Sequence, residues 1–87
     1  MLGFIEKDYG KTLKIDLHGL SLEQAKAEII YQINNVDIDV KNILLVHGYH
    51  SGTVLKNFIR KEFKHSGVIR KVNIDASATL FILKRGE

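Results

Sequence analysis

Two short runs in this chain are apolar on both sides of an extended backbone: Ile43-Leu44-Leu45-Val46 and, with one threonine, Ala78-Thr79-Leu80-Phe81-Ile82-Leu83. A strand wetted on one face alternates apolar and polar residues, whereas one that is apolar throughout is usually central in its sheet. A chain of 87 residues buries only about 60–65% of its unfolded surface, so the rest of the sequence must supply edge strands and covering helices around one modest core.

The remaining segments fit those parts. Residues 12–18 alternate strictly, with Leu13, Ile15 and Leu17 on one face and Lys14, Asp16 and His18 on the other. Val68–Asp75 alternates as well, Val68, Arg70, Val72 and Ile74 against Ile69, Lys71, Asn73 and Asp75. The short polar turn Asp75-Ala76-Ser77 joins it to 78–83 as an antiparallel hairpin. Ser21-Leu22-Glu23-Gln24 has the form of a capping box. Leu22, Ala25, Ile29, Ile33 and Val36 follow at spacings of three and four, which predicts a helix over 22–35. Asn34-Asn35 suits its end, because Asn tolerates the left-handed conformation. In the connection 36–40, Ile38 and Val40 are expected to anchor in the core.

A second helix is predicted over 52–66, with Leu55, Phe58, Ile59 and Phe63 inward and Lys56, Arg60 and Lys64 as a basic outer stripe. Gly67 would stop it, and His65 would be a favourable surface charge at its negative end. Strands one and two are joined through a helix, which favours a parallel crossover. The expected fold is α/β, an α+β sandwich of order β-α-β-α-β-β, with a mixed four-stranded sheet and two helices in two layers. Residues 12–84 form the domain, 1–11 a loosely held arm and 85–87 a tail.

Composition narrows the function classes. The chain has no cysteine, which excludes disulfides and thiolate metal sites. No apolar run approaches the ~18 residues of a membrane span, and the first residues lack a signal peptide's pattern, so the expected location is cytoplasmic. The net charge of +3 is compatible with a nucleic-acid partner without identifying one.

The chemistry-bearing residues cluster at predicted strand ends. Asp16 and His18 share a face roughly 7 Å apart along the strand. His47 occupies the corresponding place on strand two, and each histidine is followed by a glycine, Gly19 or Gly48. Ligands of open α/β sheets bind at the carboxyl ends of strands, so Asp16, His18 and His47 are expected to converge there as the catalytic set. The loop Gly48-Tyr49-His50-Ser51-Gly52-Thr53 opens the second helix, whose first N–H groups are natural anion ligands. Tyr49 would stack on a base or plug the loop. Lys56, Arg60 and Lys64 would track a phosphate backbone.

His47-x-x-His50 with Asp16 and His18 is a candidate divalent-metal set. The plainer alternatives are an Asp16–Lys14 ion pair and a solvent-facing loop histidine. In the catalytic reading Asp16 orients or ligates, His18 does acid/base work, and His47 contacts phosphate or positions the loop.

Ile15-Asp16-Leu17-His18-Gly19, a helix, then Leu45-Val46-His47-Gly48 and a glycine-bearing helix start resemble the small MutS-related (Smr) domain, whose hallmarks are L-D-x-H and H-G-x-G. The resemblance covers about residues 13–83. It implies a fold similar to the C-terminal domain of translation initiation factor three. It also implies binding of DNA or RNA and, in several members, nicking or RNA-cleaving endonuclease activity linked to DNA repair, recombination or RNA quality control. This chain departs from the pattern at His50, where the second motif has its second glycine, and at Asp75-Ala76-Ser77-Ala78, which lacks an expected glycine. Two other readings of the same residues are a nucleic-acid-binding module without catalysis and a small protein-interaction domain using its sheet face.

Overall fold

The computed structural model describes residues 11–48 and 52–84. The elements are β1 (Lys11–Asp16), α1 (Leu22–Asn35), β2 (Val40–Val46), α2 (Gly52–Asn57) continuing as a π-helical turn (Phe58–Glu62), β3 (Val68–Asp75) and β4 (Ala78–Leu83). They form one mixed four-stranded sheet in the order β1-β2-β4-β3. β1 and β2 are parallel, and β4 is antiparallel to both β2 and β3. The two runs that are apolar on both faces are thus the two interior strands, and the alternating segments are the edges.

One face of the sheet carries the core. Ile15, Leu17, Ile43, Leu45, Phe81 and Leu83 pack against Ala25, Ile29 and Ile33 of α1 and against Leu55, Ile59 and Phe63 of the second helical segment. The opposite face holds Leu44, Val46, Val72, Leu80 and Ile82, all half-buried, between the exposed Lys14 and Asp16 of β1 and Arg70 of β3. The exposed Ile69 and Ile74 both fall where the β3–β4 register shifts. Such irregularities bend an edge strand and blunt it against pairing with other chains.

The capping box of α1 is formed in full. Ser21 Oγ accepts from Gln24 N at 3.1 Å, and Gln24 Oε1 accepts from Ser21 N at 3.0 Å. The helix ends at Asn35 as predicted, but without a left-handed residue. Val36 is extended and donates its N–H to Gln32 O, while Asn35 Nδ2 donates back to Tyr31 O at 2.8 Å. Val40 packs on the core, but Ile38 is 75% exposed and does not anchor there. Lys11, expected in the arm, begins β1. The rest of the arm and the tail lie outside the described residues.

The second helical segment stops at Glu62, four residues before its predicted end. Its last turn is π-helical, closed by Phe63 N–H donating to Phe58 O at 2.8 Å. That five-residue step stacks positions i and i+5, so Phe58 and Phe63 meet edge-to-face with centroids 5.9 Å apart. Phe63 also lies parallel to Phe81 at 5.6 Å.

Lys71 of β3 caps the segment, its Nζ donating to Ile59 O at 2.8 Å and Phe63 O at 2.6 Å. Terminal carbonyls otherwise lack partners. The burial that this reach requires, with a smaller push from Lys64, lowers the Lys71 pKa. His65 lies past the helix rather than on its last turn. It accepts from Gly67 N at Nδ1 (2.8 Å) and sits 3.1 Å from Asn34 Oδ1 at Nε2, so it ties the segment to α1.

Candidate functional site

The carboxyl ends of β1 and β2 lie side by side, and the β1 end forms a compact polar turn. Leu20 N donates to Leu17 O at 3.1 Å, and Gly19 has φ +85° while His18 does not have positive φ. A negative φ at the second position and a positive φ at the third define a type II turn, which favours glycine third. His18 therefore stands on the turn's corner. Its ring folds back so that Nδ1 lies 2.6 Å from Asp16 Oδ1, and its backbone N donates to the same oxygen at 3.1 Å.

Both side chains face solvent, at 71% and 54% relative exposure for His18 and Asp16. The hydrogen bond from the His18 ring, then that from its backbone N–H, lowers the Asp16 pKa, with a lesser contribution from Lys14. An ionised carboxylate only accepts, so Nδ1 is the nitrogen that donates to Asp16. No Asp16–Lys14 ion pair forms among the described residues; Asp16 pairs with His18.

The β2 end is built differently. Leu17 N donates to Val46 O at 2.8 Å, and the register pairs Asp16 with Val46. His47 thus falls opposite Leu17, on the core face rather than the face of Asp16, because side chains alternate with period two. It is 1% exposed, with Nε2 3.1 Å from Thr79 Oγ1, and Nδ1 has no hydrogen-bond partner of good geometry among the described residues. Burial has the largest influence on His47 and lowers its pKa; the Gly48 backbone pulls upward, and Arg60 and Lys56 add to the lowering. The expected convergence of Asp16, His18 and His47 is therefore partial. Asp16 and His18 meet, while the His47 side chain turns into the core.

Gly48 brings the two ends together. It has φ +87°, and a Cβ there would sit 3.3 Å from His18 Cβ, so the backbone leaving β2 passes directly against His18. Neither the torsion nor the spacing suits a larger residue.

Beyond Gly48, Tyr49, His50 and Ser51 lie outside the described residues; Gly52 begins α2, and Thr53 is exposed. The basic stripe is not a single outer face. Lys56 is half-buried and close enough to bear on His47, and Lys64 is exposed but beyond the helix end. Arg60, expected at phosphate, turns inward. Its Nε donates to Thr79 Oγ1 at 2.6 Å, and a terminal nitrogen donates to Ala78 O at 2.8 Å and to Asp75 O.

Among the described residues no three His, Asp or Glu side chains gather as metal ligands. Of the four candidates, Asp16 and His18 are adjacent, His47 is turned away, and His50 lies outside the described residues. Among the described residues, Asp16, His18 and His47 do not gather as a ligand set. No helix among the described residues is long and apolar enough to cross a membrane.

Sequence reading missed Thr79, the Ser77 carbonyl and the inward role of Arg60. The signal available was the lone polar Thr79 in an otherwise apolar run. Compared with protein-family models, curated proteins and solved structures, the chain matches none.

Proposed function

We propose that this is an Smr-like nucleic-acid-binding domain that cleaves a phosphodiester bond at the β1–β2 strand ends, by transesterification or hydrolysis. The observation that carries the reading is the exposed Asp16–His18 pair, with 2.6 Å between carboxylate and ring nitrogen and the second ring nitrogen facing solvent. This is the arrangement of a general base: the carboxylate fixes the tautomer and stabilises the imidazolium that forms.

On RNA, His18 Nε2 takes the proton of a ribose 2′-hydroxyl. The freed oxygen attacks the adjacent phosphorus, and the bond to the 5′-oxygen breaks, that oxygen collecting a proton from solvent. Lys14 and Lys56, one bearing on each strand end, supply positive charge for the developing phosphorane. On DNA, which has no 2′-hydroxyl, His18 would deprotonate a water instead. The proposed setting is cytoplasmic, in DNA repair, recombination or RNA quality control. The net charge of +3 and the two strand-end motifs support the choice of partner.

The test is incubation with labelled single-stranded RNA, duplex DNA and branched DNA, each with Mg²⁺, with Mn²⁺ and with chelator, beside Asp16→Ala and His18→Ala. Cleavage that disappears in both variants is expected. Undiminished cleavage in both sinks the assignment, and salt-dependent binding with no cleavage leaves a phosphate-gripping module.

A further inference from the structure

The buried side chains behind the site form a continuous chain of contacts that the cleavage step does not itself use. Thr79 is fully buried, and its hydroxyl stands between Arg60 Nε at 2.6 Å and His47 Nε2 at 3.1 Å. The same guanidinium holds the carbonyls of Asp75 and Ala78, the two ends of the β3–β4 turn. Within the turn, Ser77 N and Oγ both donate to Asp75 Oδ1, at 2.8 and 2.9 Å. Ser77 O in turn accepts from His47 N at 2.8 Å and from Gly48 N at 3.1 Å. Gly48 lies against His18.

We infer that Thr79 and Arg60 are positioning residues: they fix the β3–β4 turn and the His47 ring, and so hold the Gly48 backbone at the distance that sets the His18 side chain on Asp16. Among the described residues neither side chain hydrogen-bonds Asp16 or His18. Their influence passes through Ser77 O, His47 and Gly48. The geometry favours this over a purely stabilising role because both attachments, the ring through Thr79 and the backbone through Ser77, end on the one residue that precedes Gly48. An arginine whose donors close a turn and a threonine leaves little freedom in either, and a rigid support is what a site sensitive to displacements of about 1 Å requires.

The inference rests on the proposed cleavage activity for its kinetic readout but not for its structural one. The variants are Thr79→Val, which keeps shape and removes the hydroxyl, Thr79→Ser, which restores it, and Arg60→Met. In Thr79→Val and Arg60→Met the His18 ring and Gly48 amide resonances are expected to shift although neither mutated side chain touches them. kcat should fall by about 10- to 100-fold with KM changed less than about twofold. Thr79→Ser should return both readouts toward wild type.

A folded Thr79→Val or Arg60→Met protein with unmoved His18 resonances overturns the inference, whatever its thermal midpoint. So does an undiminished kcat in an active enzyme. If the wild-type protein cleaves nothing, the cleavage reading falls while the His18 resonances still decide this one. If Thr79→Val does not fold, Arg60→Met decides on the same readouts.

Discussion

The ends of β1 and β2 are neighbours, each carrying a histidine followed by a glycine of positive φ, +85° at Gly19 and +87° at Gly48. Their histidines nevertheless live in opposite environments. His18 stands in solvent on a turn corner and is held by a carboxylate two residues back. His47 is buried and held by Thr79, which is itself held by an arginine. The difference is one of parity: the parallel register sets Asp16 beside Val46, so the residue after Val46 faces the core. Similar local sequences thus yield one exposed histidine held by a carboxylate and one buried histidine that anchors a loop.

The sharpest way to break this comparison is to remove each histidine. His18→Ala or Asp16→Ala should lower cleavage by about 10²- to 10⁴-fold, the usual range for general acid–base groups, with only a small drop in thermal midpoint from the lost Asp16–His18 bond. His47→Ala should instead destabilise the fold by about 2–4 kcal/mol in urea titration, because it leaves a cavity and deprives Thr79 of a partner. A stable, inactive His47→Ala protein would place that ring in the chemistry after all.

The glycines give a smaller contrast. Alanine at either should lose about 1–2 kcal/mol for its left-handed torsion. Gly48→Ala should impair cleavage more, because its new Cβ meets His18 from the neighbouring strand, whereas among the described residues nothing beyond its own chain neighbours lies within 4 Å of a Cβ at Gly19.

pH should separate the two sites further. His47 has a lowered pKa when folded, so below the ordinary histidine value of about 6.5 the unfolded chain takes up a proton that the folded one resists. Stability should therefore fall as pH drops from there through the folded value, and His47→Gln should flatten that slope. Asp16, also lowered, contributes only while ionised. Its share is present above the ordinary carboxylate range and is lost as pH falls through its depressed value, a more acidic window visible as the slope removed by Asp16→Asn. The mildest expected effect belongs to Lys56→Ala and Lys64→Ala. Each should weaken nucleic-acid binding and reduce the salt slope of affinity by about one, with little change in stability.

What was legible in the sequence is what local pattern encodes. The apolar runs announced interior strands, Ser21 and Gln24 announced the start of α1, and the polar turn 75–77 announced a hairpin. Asp16 and His18 were legible as a pair because they lie two residues apart on one strand. The fate of His47 was not, since it depends on which residue of β2 stands beside Asp16, a fact that belongs to two strands at once. The same holds for the early end of the second helical segment, capped by Lys71 from another strand, and for Arg60, whose partners lie 15 to 19 residues away. Ile38 failed for a different reason: in a connection of only a few residues an apolar side chain can point outward with little loss.

The strand order has a consequence for how the molecule is made. β4 is the last strand of the sheet in sequence, yet it lies between β2 and β3. Without it, β2 has a partner on one side only, with its open backbone edge presented to other chains, and β3 has no place to dock. Released chains truncated before residue 78 should therefore engage chaperones or aggregate, and the sheet should close as a unit only when the final strand is present.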